Sequence, residues 1–201
     1  MRVLLLYLFF LILALAFFGC KPEVPTHSPV ALSWESGHPE RKVWSEACLK
    51  SVSEHLSRLD KAKDIASFHA KYSGATDGVK ANIWCELFSA LAKYESSWNP
   101  KSASVDVGDA SKRDTYSICL LQLSVVDQQW VEPRSKYSYA ELLEPANCLD
   151  LGVRIMARQI DKAGLVVLPN ASRYRYWAIL LDGNKYQKID QVRAMVRALP
   201  L

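Results

Sequence analysis

One stretch of the chain predicts an amphipathic helix that carries a carboxyl group on its apolar face. From Asp77 to Tyr94 the apolar residues recur at helical spacing and form one face, consisting of Ile83, Trp84, Leu87, Phe88, Leu91 and Tyr94. At about 100° per residue, Glu95 lies within about 20° of Trp84 and Phe88 on this face. Asn99-Pro100 ends the run, because the residue before a proline disfavours helix. The pattern therefore places Glu95 in the last turn of a helix, next to an irregular loop.

The position of Glu95 supports two interpretations. Partial burial at the end of an apolar face disfavours the charged form of a carboxyl and favours the protonated form that a general acid needs. Alternatively, the helix frays before Glu95 and the side chain reaches solvent, as most helical glutamates do.

The rest of the chain predicts a mainly α domain with a small β or loop region after this helix. Helical patterns cover 43–59, 62–72, 77–95, 124–131, 147–163, 172–181 and 189–199. The polar loop 101–116 is the one place for a small β-region. Aromatic residues near these loops are candidates for stacking on sugars if they are exposed, namely Trp98, Trp130, Tyr137 and Tyr139.

Two short motifs follow the predicted helix. Residues 95–104 read Glu-Ser-Ser-Trp-Asn-Pro-Lys-Ser-Ala-Ser, and this segment resembles the acid motif of lytic transglycosylases in the lysozyme-like superfamily. Residues 117–122 read Ser-Ile-Cys-Leu-Leu-Gln and resemble the second motif of that family, Gly-Leu-Met-Gln. The segment 147–156 is similar to the family's Asn-Ile-x-x-Gly helix start. The order and spacing of the first two motifs agree with the family.

The resemblance implies a lysozyme-like fold and cleavage of the β-1,4 bond between the amino sugars of peptidoglycan. Carried over, Glu95 protonates the glycosidic oxygen, and Ser104 and Gln122 are substrate-side or supporting residues. The family's Tyr-Asn-Ala-Gly motif is missing, and Tyr176 is the candidate for its tyrosine. An aromatic packed in the predicted helix 172–181 is the alternative interpretation of Tyr176. The resemblance implies no metal and no organic cofactor.

Cys119 stands where the second motif has glycine. Glycine permits positive φ or a close backbone approach, so its loss indicates either a differently built loop or a Cys119 that is tied down covalently.

Three aspartates between the motifs leave the reaction type open: Asp106, Asp109 and Asp114. A lytic transglycosylase uses one glutamate, because a hydroxyl of the substrate attacks and leaves an anhydro sugar. An inverting hydrolase instead needs a second carboxylate about 6.5–9.5 Å away to activate water. Goose-type lysozymes, which are similar in fold, carry aspartates in the corresponding loop, so a hydrolytic muramidase is the first alternative. Ordinary turn chemistry also accounts for aspartates in a polar loop.

Two further hypotheses remain open. The unusual second motif suggests an enzyme selective for modified peptidoglycan, such as deacetylated strands. Cys119 and the missing tyrosine motif also suggest a glycan-binding lipoprotein without catalysis, although the intact Glu95 argues against it.

The N-terminus predicts export and a lipid anchor. Residues 1–19 read as a signal peptide, since Arg2 precedes an apolar run that ends at Gly19. Cys20 ends a sequence that resembles a bacterial lipobox, and 20–41 reads as the lipidated cysteine and a proline-bearing tether before a catalytic domain at 42–201. We expect a location on the periplasmic side of the cell envelope, lipid-anchored to the outer membrane in a Gram-negative host, or export. An uncleaved anchor is the alternative.

The remaining cysteines and the charge fit an exported, wall-directed protein. Lipidation of Cys20 leaves an even set that predicts two disulfides with three possible connectivities: Cys48, Cys85, Cys119 and Cys148. A zinc site is the alternative, but the set has no Cys-x-x-Cys spacing. The net charge of +4 suits an anionic cell wall and is too weak to indicate nucleic acid. We expect a monomer whose partners are glycan strands and, through the lipid, the membrane.

Overall fold

A computed structural model describes residues 30–105, 113–133 and 136–201. Five α-helices follow one another in these ranges: α1 (Lys42–Leu59), α2 (Asp77–Ser96), α3 (Tyr139–Leu142), α4 (Pro145–Ala163) and α5 (Ile189–Arg197). The expectation of a mainly helical, lysozyme-like α+β domain is confirmed.

Two small sheets complete the domain. β1 (Ala103–Ser104) pairs antiparallel with β2 (Ser117–Ile118), and β3 (Leu168–Pro169) pairs parallel with β4 (Leu181–Asp182). The first sheet lies in the region where the sequence predicts one. Short 3₁₀ turns join the elements, at Ser33–Glu35, Pro39–Arg41, Ile65–Ser67, Ala70–Tyr72, Arg113–Thr115, Val125–Trp130 and Ala178–Leu180.

Helix α2 is the centre of the core. Every residue from 81 to 92 is buried, so the helix is covered on all sides and not only along the predicted apolar stripe. α1 packs against both α4 and α2, while α5 packs against α2 from another side. A helix that is buried all round is held by its neighbours, and this fixes the position of its C-terminal turn.

Helix α4 begins and ends at residues suited to those positions. Pro145 is its first residue, where a missing backbone N–H costs no hydrogen bond. Gly164 follows its last residue with a φ of 71°, a left-handed conformation that glycine adopts without strain.

Two predicted helices are wrong, and a third, 124–131, forms a 3₁₀ helix over Val125–Trp130 in place of an α-helix. The segment 62–72 forms two 3₁₀ turns separated by His69, which is extended and accepts a hydrogen bond at Nδ1 from Lys71 N at 3.2 Å. Before them, the Asp64 carboxylate accepts hydrogen bonds from the backbone N–H groups of Val166 and Val167, at 2.8 and 2.9 Å. Such contacts with a distant segment offer the polar groups of 62–72 an alternative to a helix.

The segment 172–181 likewise departs from the predicted helix. It runs through turns into the 3₁₀ turn Ala178–Leu180 and then into β4. The Trp177 indole donates to Leu121 O at 3.0 Å, and Leu181 pairs with Leu168 in the second sheet. Tertiary pairing thus overrides the helical spacing of this segment.

Residues 30–41 belong to the packed domain and not to a tether. Leu32 and Trp34 are buried in the core, and the Trp34 indole donates to Ser45 Oγ on α1 at 2.7 Å. The predicted signal peptide, Cys20 and the tether up to residue 29 lie outside the described residues. Within the described ranges, none of the helices has the length and apolar character needed to cross a membrane.

Candidate active site

Glu95 lies at the C-terminal end of the central helix α2 and lines an open groove. Its side chain is half-buried, one residue before the helix ends at Ser96. Ser96 Oγ lies 2.9 Å from the carbonyl oxygen of Ala92 and 2.8 Å from that of Leu120. The hydroxyl therefore ties the end of α2 to the loop that carries the second motif.

The chain leaves α2 by a sharp left-handed turn beside Glu95. Ser97 and Trp98 have φ values of 54° and 60°, conformations that residues with a Cβ seldom adopt. The Trp98 indole reaches back to donate to Ser89 O at 2.8 Å, which secures the turn. This arrangement ends the helix at the edge of the groove, as the Asn-Pro pair predicts. It also makes Trp98 a packing residue, since its ring contacts the core and does not line the groove.

Ser104 and Gln122 lie together in the same groove as Glu95. Ser104 Oγ donates to Gln122 Oε1 at 3.1 Å, and Gln122 Nε2 donates to Cys119 O at 3.1 Å. Gln122 has a φ of 50°. The two motif residues are thus hydrogen-bonded to each other and to the loop backbone, and both face the groove.

Cys119 has a left-handed backbone conformation, and its side chain forms a disulfide. Its φ is 64°, and its sulfur forms a disulfide with Cys148 at the start of α4. Its backbone N–H also donates to Ser102 O at 2.9 Å. The loop therefore keeps the backbone conformation that glycine would supply, and a disulfide holds it against α4.

The second predicted disulfide is not formed. Cys48 on α1 and Cys85 on α2 are buried free cysteines. Burial raises the pKa of the Cys85 thiol, and the neighbouring Cys48 raises it further. Both effects favour the neutral thiol form in this part of the core.

Tyr176 enters the groove from the irregular segment before β4 and bonds to a carboxylate. Its hydroxyl donates to Asp127 Oδ2, which also accepts from the backbone N–H of Ser124 at 2.8 Å. Burial of the hydroxyl and the negative charge of Asp127 raise the pKa of Tyr176 well above its ordinary value. Glu95 adds a smaller electrostatic contribution in the same direction, so the two side chains are close enough to interact. Tyr176 therefore remains a neutral hydrogen-bond donor beside Glu95.

Of the three loop aspartates, the structure describes Asp114 alone. Asp106 and Asp109 lie outside the described residues. Asp114 is exposed in the 3₁₀ turn Arg113–Thr115 and does not line the groove, although Thr115 and Ser117, which follow it in the chain, do.

Sequence reasoning missed several residues of the groove. The cavity has a volume of about 820 Å³, and its further lining residues are Thr115, Ser117, Ser124, Asp127, Trp177, Ala178 and Tyr186. Asp127 had a detectable signal, because Ser124 and Asp127 have the spacing of a capping box, and the structure forms it.

Tyr186 is the exposed aromatic in the groove, and the four aromatic candidates from the sequence do not line it. The Tyr186 side chain lines the cavity with 59% of the residue exposed. The Tyr137 hydroxyl instead donates to Asp150 at 3.1 Å, and burial together with Asp150 raises the pKa of Tyr137 to about 12. Trp130 is 40% exposed and makes an edge contact with Tyr176 at 5.8 Å between ring centroids.

The groove offers carboxylates, hydroxyls, an amide and aromatic rings, which suit a carbohydrate. Among the described residues, no group of three or more His, Cys, Asp or Glu side chains is arranged to hold a metal ion. The chemistry available from the described side chains of the groove is proton transfer by Glu95, with neutral donors around it.

Comparisons with known proteins agree with this geometry. The family model of the Transglycosylase SLT domain matches residues 75–178, which include Glu95, Ser104, Gln122 and Tyr176. The solved structure of Bd0314 DslA, wild-type form 2, superimposes with a TM-score of 0.71 and 22% identity, covering 86% of this chain and 98% of that chain.

Two variants of DslA in which a glutamate is replaced by glutamine superimpose with the same TM-score of 0.71 and the same coverage, at 22% and 21% identity. At such identities the likeness concerns the fold. No curated protein matches the sequence significantly.

Proposed function

The chain belongs to the Transglycosylase SLT domain family, and on this premise we propose that it cleaves the β-1,4 bond between the amino sugars of peptidoglycan with Glu95 as the catalytic acid and base. One observation carries the proposal. Glu95 is a half-buried carboxyl at the end of a buried helix, in a groove that it shares with Ser104, Gln122 and Tyr176.

The proposed reaction needs a single carboxyl group. Protonated Glu95 donates its proton to the glycosidic oxygen, the bond from that oxygen to C1 breaks, and positive charge develops on the sugar ring. The Glu95 carboxylate then accepts the proton of the sugar's own hydroxyl, whose oxygen forms a new bond to C1. The products are a free hydroxyl on one strand and an anhydro sugar on the other, and Glu95 is protonated again without consumption of water.

The neighbouring residues support this reaction by holding the substrate. Ser104 and Gln122 orient each other through their hydrogen bond and present the remaining donor and acceptor sites to the glycan. Tyr186 provides an exposed ring for a sugar face. Binding at these remote contacts helps stabilise the charged transition state.

Asp127 is the groove carboxylate among the described residues besides Glu95, and its contacts favour a supporting role. Its Oδ2 atom accepts hydrogen bonds from Tyr176 and from the backbone of Ser124. This oxygen already accepts two hydrogen bonds from the protein, so Asp127 is engaged in holding Tyr176 and the backbone at Ser124. This favours the transglycosylase reaction over hydrolysis.

Mass spectrometry of digested peptidoglycan tests the proposal. The full-length chain in detergent is compared with E95Q and with E54Q, a matched change of an exposed glutamate on α1. We expect E95Q to lower turnover by about a hundredfold to ten-thousandfold with glycan binding retained, because only proton transfer is removed. E54Q should match the parent protein.

The products decide among the alternatives. Glu95-dependent products that lack one water are expected from a lytic transglycosylase, whereas hydrated products with reducing ends would establish a muramidase. Activity confined to deacetylated strands would identify modified peptidoglycan as the substrate. Strand binding without products on either substrate would establish a binding protein and refute the proposal.

A further inference from the structure

A second, smaller pocket adjoins the groove and is lined by three arginines. Arg158 comes from α4, whereas Arg173 and Arg175 come from the segment between β3 and β4. We call this the arginine pocket. Its volume is about 80 Å³, which is room for a small charged group and not for a sugar ring. Tyr176 lines both the arginine pocket and the groove, so the two cavities meet at this side chain.

The positive charge of the arginine pocket is not neutralised by the part of the chain that the structure describes. None of the three arginines is in a salt bridge there. Their partners are neutral groups. Arg173 Nη2 donates to the Tyr174 hydroxyl at 2.5 Å, and Arg175 donates to Asn170 O.

The guanidinium of Arg158 contacts an aromatic ring. It lies 5.9 Å from the centroid of the Trp130 ring, which in turn contacts Tyr176. Trp130 therefore connects Arg158 to Tyr176, the side chain that borders the groove. A guanidinium stacked on a ring keeps its N–H donors in plane and available to a carboxylate.

We propose that the arginine pocket binds a carboxylate of the peptide stem on the muramic sugar that sits beside Glu95. The inference rests on the proposed function, since it assumes that a glycan strand occupies the groove. Three arginines that line one small pocket suit a planar anion, and this pocket shares Tyr176 with the groove. The peptide stems are the acidic substituents that project from such a strand.

The test compares two arginine variants on chemically matched substrates. R173Q/R175Q removes the two exposed arginines, and R158Q removes the half-buried one, so one variant remains interpretable if the other is unstable. The control is K50Q/K162Q, which removes two exposed positive charges elsewhere. Rates are measured on peptide-bearing strands, on the same strands with carboxylates converted to amides, and on strands stripped of peptides by an amidase.

On peptide-bearing strands, we expect the arginine variants to raise KM about tenfold with little change in kcat, because a binding contact outside the reacting atoms is lost. On amidated strands the variants and the parent protein should be equal, because the charge is already gone. K50Q/K162Q should follow the parent protein on all three substrates.

The stripped strands separate the two sources of a carboxylate, since removal of the stem exposes the lactyl carboxylate of the sugar. In peptide-bearing strands the lactyl carboxyl group is bound in an amide to the stem, so a rise in KM confined to stripped strands would move the ligand to the lactyl carboxylate and overturn the stem assignment. An equal rise in KM on amidated strands, or no rise on any substrate, would refute the binding of a stem carboxylate by the arginine pocket. Failure of the proposed function is distinguishable, because the parent protein itself would then be inactive on all three.

Discussion

Cys119 occupies a backbone position that ordinarily favours glycine. Its φ of 64° lies in the left-handed region, where a residue with a Cβ is less stable by about 1–2 kcal/mol. The sequence leaves two explanations for this cysteine, a differently built loop or a covalent tie. The structure shows that the loop keeps the left-handed turn and that a disulfide to Cys148 accompanies it.

This residue permits a test of backbone strain that is independent of the disulfide. We expect C119G/C148A to be more stable than C119A/C148A by about 1 kcal/mol, because glycine adopts the left-handed turn without a Cβ contact. Both variants lack the disulfide, so their difference isolates the backbone. The free energy of unfolding in urea is the measurement, and equal values would show that the backbone relaxes once the disulfide is absent.

At the scale of elements, α4 determines where the Gln122 loop lies. The helix holds the loop through Cys148 and through a close contact at Gly152. A Cβ placed on Gly152 would lie 2.3 Å from Leu121 Cδ1, and Leu121 is fully buried. The absence of a side chain at Gly152 therefore lets the loop approach the helix beside the groove.

We expect G152A to lower the free energy of unfolding by about 1–3 kcal/mol, because the buried Leu121 must shift to accept the methyl group. Activity should fall as well, since Gln122 is the next residue along the loop. The control is a double-mutant cycle with L121A, which removes the contacting atom. The cost of G152A should shrink in that background, and an unchanged cost would place its cause elsewhere.

At the scale of the whole molecule, a buried carboxyl joins the N-terminal turn to the central helix. Glu86 on α2 is 1% exposed and accepts hydrogen bonds from the backbone and the hydroxyl of Ser33, the former at 3.0 Å. Burial raises the pKa of Glu86 above its ordinary value, despite these hydrogen bonds. The folded chain therefore binds this proton more tightly than the unfolded chain does.

The raised pKa of Glu86 in the folded state predicts how the stability of the protein depends on pH. The contribution of Glu86 is fully present below its unfolded pKa of 4.5 and is lost as pH rises through the higher folded pKa. In E86Q that loss is absent, so we expect the stability of the parent protein relative to E86Q to decrease as pH rises from about 4.5. Unfolding in urea across this range is the measurement, with E54Q as the exposed control. A difference that stays constant or increases with pH would contradict the prediction.

The sequence by itself determined the local features of this protein. Hydrophobic periodicity predicts α1, α2 and α4, and it places Glu95 in the last turn of α2, because these properties depend on residues a few positions apart. The helix prediction from hydrophobic periodicity is wrong for 62–72 and 172–181, because contacts with distant residues determine the backbone there. There, Asp64 binds the backbone of 166–167 and Leu181 pairs with Leu168.

Only the tertiary structure decided which distant groups meet. It formed the Cys119–Cys148 disulfide while leaving Cys48 and Cys85 free, bonded Tyr176 to Asp127, and brought Arg158 together with Arg173 and Arg175. It also packed Trp34 into the core, in a segment whose prolines predict a tether. These outcomes depend on how the neighbouring elements pack around the buried helix α2. Packing brings together residues that are far apart in the chain, so the local periodicity of the sequence does not predict them.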